Sequence, residues 1–211
     1  MKVNFRICLF LCAAVLISGC KKTDGSKKET KGEGKTMTET KQEIKKASVK
    51  VELDTTMGKI VIELDEEKAP ITTANFLRYV KEGFYDGTIF HRVIGNFMIQ
   101  SGGHLLDMTE KTAYEPIKNE ASNGLANSRG TIAMARTSNP NSATSQFYIN
   151  LVDNKQLNFI PGQSPGYAVF GKVIEGMDVV DKIGTVKTTK RLSYFDVPVE
   201  PVLINSAKVV P

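Results

Sequence analysis

Phe90-His91-Arg92-Val93-Ile94-Gly95-Asn96-Phe97-Met98-Ile99-Gln100-Ser101-Gly102-Gly103 decides how the rest of this 211-residue chain is read. The stretch is apolar and β-branched, interrupted by His91, Arg92, Asn96 and Gln100. A guanidinium in such a run needs a partner or a cleft, because an unpaired buried charge is heavily penalised. Gly95-Asn96 reads as a tight turn between two short strands, 88–94 and 97–101. With a period of two, Arg92 and Ile94 share one face of the first strand, and Met98 and Gln100 share one face of the second. A cation, an amide and a thioether then border one apolar surface. The same spacing fits a buried hairpin whose arginine sits in a structural ion pair, and the stretch alone leaves both readings open.

Working outward toward the N-terminus, 49–54 and 59–64 alternate as strands around a turn at Thr55-Thr56-Met57-Gly58. Pro70 marks a helix start with Thr72 or Thr73 as the cap, and Ala74, Phe76, Leu77, Tyr79 and Val80 form its apolar stripe. Gly83 is placed to end it. Toward the C-terminus, 102–129 is a long polar stretch. His104 lies in it without a Cys, Asp or Glu cluster at metal spacing, so it reads as a surface loop histidine. His91 points to the face opposite Arg92 and reads as structural. Strands follow at 130–135, 146–151, 167–173 and 202–209, with loops at 136–144 and 154–165 and a short helix at 177–183 before Gly184. In the strand at 146–151, Gln146 and Tyr148 share one face, and Phe147 and Ile149 share the face assigned to the core. About eight short strands and two helices favour an antiparallel barrel over a βαβ sheet.

The first quarter of the chain is different. Lys2 and Arg6 precede an apolar run at 7–17, too short to span a bilayer but right for a signal-peptide core. Ile17-Ser18-Gly19-Cys20 resembles a bacterial lipobox, in which Cys20 is lipidated and becomes the first mature residue. The alternative is an ordinary signal peptide with an incidental cysteine. Cys8 and Cys12 would be removed with the leader, so the mature chain forms no internal disulfide. Residues 21–47 are rich in Lys, Glu, Thr and Gly and have too little apolar surface to fold, so a flexible basic tether is expected. Lys21 is not the aspartate that goes with inner-membrane retention, which points to the outer membrane in a Gram-negative cell. The domain plan is a leader at 1–19, a lipidated tether at 20–47 and a globular domain at 48–211. Residues 1–47 hold 11 Lys and Arg against 5 Asp and Glu, whereas 48–211 hold 17 against 18. The excess positive charge therefore sits outside the globular part, the reverse of a nucleic-acid-binding domain.

FHRVIGNFMIQSGG at 90–103 resembles the signature of the cyclophilin-type peptidyl-prolyl isomerases. The likeness continues in GTIAMAR at 130–136, SQFYI at 145–149 and YAVFG at 167–171, and the Met-Ala-Arg form is similar to the bacterial branch. It spans 48–211. The resemblance implies a mainly β fold, a closed eight-stranded antiparallel barrel with a helix at each end. It implies a monomeric isomerase without cofactor or metal that acts on unfolded or proline-containing polypeptides; combined with the leader, these are exported chains met at a membrane. Residue by residue, Arg92 matches the family's catalytic arginine, and Phe97, Met98, Tyr148 and Leu157 match its proline pocket. Gln100 and Gln146 match amides that orient the arginine and the substrate carbonyl. Backbone near Ala135 and Arg136 would pair with the substrate residue before proline, and Tyr167 stands where many eukaryotic members have histidine. Gln156 falls where an aromatic residue is usual, which implies weak cyclosporin binding. Tyr148 and Gln156 keep a second reading alive, a proline-segment-binding chaperone or scaffold with little turnover.

The chemistry asks for these residue types. Amide resonance sets a rotation barrier of roughly 18–20 kcal/mol. At X–Pro bonds the two isomers lie within about 0.5–1 kcal/mol yet exchange over tens to hundreds of seconds. A catalyst must hold the twisted amide better than either planar form. Twisting returns a lone pair to the prolyl nitrogen, and a fixed guanidinium can donate to it beside an apolar slot. No nucleophile is required, and the chain offers no Ser/His/Asp or Cys/His arrangement.

Overall fold

The computed structural model describes residues 48–211. The leader, Cys20 and the tether read from the sequence lie outside the described residues. The element order is β1 (Lys50–Thr55), β2 (Gly58–Leu64), α1 (Pro70–Lys81), β3 (Arg92–Ile94), β4 (Met98–Ser101), β5 (Thr131–Met134), β6 (Phe147–Asn150), β7 (Val169–Glu175), α2 (Met177–Gly184), β8 (Thr188–Arg191), β9 (Tyr194–Pro198) and β10 (Ile204–Val210). Eight strands make one antiparallel sheet in the order β10-β1-β2-β7-β5-β6-β4-β3, and β8-β9 form a separate hairpin.

Alternation builds the sheet. Val51, Leu53, Ile60, Ile62 and Leu64 turn inward from β1 and β2, and their polar neighbours turn outward. Helix α1 lays Phe76, Tyr79 and Val80 onto this inner face. Phe76 is fully buried, with ring centroids 5.2 Å from Tyr85, 5.6 Å from Phe147 and 5.1 Å from Phe170. Removing such a ring costs about 3–5 kcal/mol. Helix α2 adds Val179, Val180 and Ile183 to the same core.

Three expectations are corrected. The expected closed barrel is an open half-barrel, because β10 and β3 end the sheet without forming a ladder with each other. Strand β3 has only three residues, and the segment before it meets 202–204 through one isolated bridge, Ile89 with Leu203. Phe90 N–H donates to Val202 O at 2.9 Å and Ile204 N–H to Thr88 O at 2.8 Å, and Pro201 has no N–H to extend the pairing. The helix cap is also different. Neither Thr72 nor Thr73 caps α1; the distant Glu120 carboxylate accepts from Ile71 N–H, Thr72 N–H and the Thr72 hydroxyl at 3.1, 2.7 and 2.7 Å. Pro70 does sit at the helix start, and Gly83 follows its end in the left-handed conformation with φ +64°.

The third correction is His104. It is 2 % exposed rather than a surface residue. Its ring lies 4.3 Å from that of His91, and its Nε2 is 3.0 Å from the Tyr194 hydroxyl of β9. A partner from the unforeseen β8-β9 hairpin buries it. His91 is buried as the strand period requires, on the face opposite the exposed Arg92.

Candidate active site

The β3-β4 hairpin sets the geometry. Ile94 pairs with Met98 across a turn of Gly95, Asn96 and Phe97, with Asn96 at φ +58°. Asparagine tolerates that left-handed conformation better than most residues. Arg92 then pairs directly with Gln100, Gln100 with Tyr148, Tyr148 with Ala133, and Ala133 with Val169. Five strands thus carry one continuous row across one face of the sheet, with the cation at one end and apolar groups at the other.

The apolar end is a distinct cluster. Met98, Ala133, Tyr148 and Val169 are buried, and Ile94, Phe97, Leu125, Ala135, Leu157 and Tyr167 pack on them while remaining partly open. The opposite sides of the same strands, including Ile99, Phe147 and Ile149, join the main core. Strand alternation therefore separates a slot from the core with no insertion or special loop. The Gln100 amide lies half-buried beside the slot and donates from Nε2 to Gln146 Oε1 at 2.9 Å.

Arg92 is exposed on this face. Its Nε is 4.0 Å from Asp196 Oδ2 on β9, and both side chains are more than 40 % open to solvent. An exposed pair at that distance contributes about 0–1 kcal/mol. The structural ion pair left open by the sequence exists, but it is too weak to consume the cation.

The wall is held by asparagines that sequence reasoning did not single out. The Tyr148 hydroxyl donates to Asn127 Oδ1 at 2.7 Å, inside the protein. Its extra oxygen is therefore satisfied, and burial pushes its ionisation far above the usual phenol range. Asn127 Nδ2 donates to Leu157 O at 3.2 Å and more weakly to Tyr167 O at 3.4 Å. Asn154 Nδ2 donates to Phe97 O at 2.9 Å and to Asn150 Oδ1 at 2.7 Å. These bonds tie three slot residues to β6. Their sequence signal was only an unusual density of asparagine in 123–158.

Arg136 lies over the Tyr167 ring at 4.1 Å and donates from Nε and Nη2 to Gly166 O at 3.1 and 2.9 Å, fixing the tyrosine at the rim. The Ala135 N–H is taken by Gln146 O at 2.9 Å, so Ala135 offers the slot its methyl group rather than a backbone donor. Gln156 is exposed and donates to Asn154 Oδ1 at 3.2 Å, outside the apolar cluster. The surface hollows along α1 and at Gly87, Leu105 and Arg191 lack this combination of cation, amides and apolar wall.

A family model described as cyclophilin type peptidyl-prolyl cis-trans isomerase/CLD matches residues 48–209. A peptidyl-prolyl cis-trans isomerase of Acinetobacter baylyi is 60 % identical over 163 residues, 77 % of this chain and 86 % of that protein. Peptidyl-prolyl cis-trans isomerase B of Escherichia coli is 56 % identical over 162 residues, 75 % of this chain and 98 % of that protein. Among solved structures, a cyclophilin type isomerase of Cryptosporidium parvum, determined in the presence of the dipeptide Ala-Pro, is similar with a TM-score of 0.64. It is 27 % identical, with 77 % of this chain and 99 % of that one covered.

Proposed function

The chain belongs to the cyclophilin-type peptidyl-prolyl cis-trans isomerases, and from that premise we propose how its residues divide the work. The row from Arg92 to Val169 carries the reading, because it sets a permanent cation beside an apolar slot on one sheet face. The proline ring of a client enters among Phe97, Met98, Tyr148 and Leu157, with Ala135 and Tyr167 at the rim. The Arg92 guanidinium donates to the prolyl nitrogen as its lone pair returns on twisting, an interaction absent from either planar isomer. Gln146 donates to the carbonyl before proline, and Gln100 holds the arginine. The Arg136 backbone pairs with the residue before proline. The exposure of Arg92 leaves its guanidinium open to an incoming chain.

An NMR titration with an Ala-Pro-containing tetrapeptide tests the assignment. Shifts should concentrate at Phe97, Met98, Gln100, Tyr148 and Leu157. Shifts confined to another face would refute it.

The clients are exported, unfolded, proline-containing chains, and the enzyme works as a monomer held at a membrane by lipid on Cys20. The position of Cys20 directly after an apolar core supports this, as does the absence of 1–47 from the region matched by the family. No helix among the described residues is long and apolar enough to cross a membrane. Cys20→Ser should release the protein from the membrane fraction and abolish palmitate labelling. Unchanged fractionation and labelling would overturn the anchor.

A further inference from the structure

We propose that Glu110 is a positioning residue for the isomerisation, acting on Arg92 through two amides; the inference rests on the site reading above. Glu110 Oε1 accepts a hydrogen bond from Gln146 Nε2 at 3.0 Å, and Gln146 Oε1 accepts one from Gln100 Nε2 at 2.9 Å. An ionised carboxylate only accepts, whereas an amide presents an acceptor at one end and two donors at the other. Glu110 therefore draws the Nε2 end of Gln146 to its side, with the buried His91 ring as the other polar neighbour of that amide. That choice turns the Gln146 carbonyl toward Gln100, and so decides which end of Gln100 faces Gln146. The Gln100 carbonyl oxygen is left as the outer end of the chain, and Gln100 is the directly paired neighbour of Arg92. Glu110, Gln146 and Gln100 thus form a hydrogen-bonded chain that starts at a carboxylate and ends at the strand position paired with Arg92.

The two ends of a glutamine amide have nearly the same shape, so packing alone does not choose between them. With the carboxylate gone, Gln100 can turn its N–H groups toward the guanidinium, donor against donor. Gln146 can turn its carbonyl toward the client carbonyl it should bind. With the carboxylate present, the second N–H of Gln146 stays available to that client oxygen.

The backbone delivers both partners to fixed places. A Cβ at Gly103 would come within 2.7 Å of Gln146 Cγ and Nε2, so the amide packs directly on bare backbone. From Gly103 the chain loops back to Glu110: Leu105 N–H donates to Thr109 O at 2.9 Å, Lys111 N–H to Gly103 O at 2.8 Å, and His104 bridges to Glu110. The Glu110 carboxylate is exposed at the end of this loop, where a charged hydrogen bond is partly screened, so the effect is modest.

The test uses the full chain with Glu110→Ala and Glu110→Gln, an X–Pro tetrapeptide, and side-chain amide spectra of Gln100 and Gln146. Glu110→Ala should lower kcat about three- to tenfold, with a smaller rise in KM, an unchanged melting temperature and displaced resonances of both amides. Glu110→Gln, which can still accept through its carbonyl, should fall between Ala and the parent. Unchanged kcat in Glu110→Ala overturns the proposal, as does a loss that tracks melting temperature or leaves both amides unmoved. The parent reading fails separately: if Arg92→Ala keeps full turnover the site itself is wrong, whereas its collapse beside an active Glu110→Ala removes only the relay.

Discussion

Arg92 lies on the slot's side of the sheet because of its register, and its neighbour on the other side of the strand obeys the same rule. His91 is turned inward, where burial first, and then the neighbouring His104 ring and the Arg92 charge, hold its pKa down to about 3 from the usual 6.5. His104 is lowered in the same direction, mainly by burial. At neutral pH the His91 ring is therefore uncharged in the folded enzyme. The unfolded chain takes up protons near pH 6.5 that the folded chain takes up only near pH 3 at His91. Stability is therefore fully present above pH 6.5 and falls as pH drops through the window below it. For His91 alone the loss is about 2 kcal/mol between pH 7.5 and pH 5. Urea unfolding midpoints across that range should decline steadily, and a flat profile down to pH 5 would contradict the burial argument. The Tyr148 hydroxyl is a second polar group made harmless, since its bond to Asn127 leaves the slot with the face of a phenyl ring. That removes one of the two features that favoured a binder with little turnover.

Among the elements, the ones with strong internal periodicity were legible and the ones defined by distant partners were not. The alternation in 49–64, 97–101, 146–151 and 167–173 foretold β1, β2, β4, β6 and β7 within two residues, and with them the face that holds Gln100, Tyr148 and Met98. The β8-β9 hairpin escaped because its turn uses Leu192 at φ +55°, with no glycine or asparagine to announce it. The burial of His104 escaped with it, since Tyr194 on that hairpin covers the ring. Closure of the sheet was read from family likeness, and three-residue β3 with proline at 201 limits the seam to isolated bonds. The asparagine network lay beyond pattern reading because each bond joins residues more than twenty apart except within 150–154. The cap of α1 is a further long-range case, with a carboxylate 48 or 49 positions away supplying three acceptor contacts at the positive end of the helix. Glu120→Ala should cost about 1–2 kcal/mol and lower the melting temperature while kcat stays near the parent value. An unchanged melting temperature would show that solvent satisfies those donors equally well.

At the scale of the whole molecule, one sheet performs two tasks because its strands alternate. One side of β4, β5 and β6 joins the core under α1, and the other side forms the slot that ends in Arg92. The core fixes the backbone, the backbone fixes the row, and the row ends in the cation that the proposed step uses. That arrangement explains how a barrier made of resonance can be lowered with no nucleophile, metal or cofactor in the proposed step. The most direct test is exchange NMR on an Ala-Pro tetrapeptide, comparing the cis-trans rate under the parent protein and under Arg92→Ala at equal bound fraction. The account predicts that the variant still binds the peptide at the slot while catalysed exchange falls about a hundred- to a thousandfold. Exchange at the parent rate by a folded Arg92→Ala protein would contradict it.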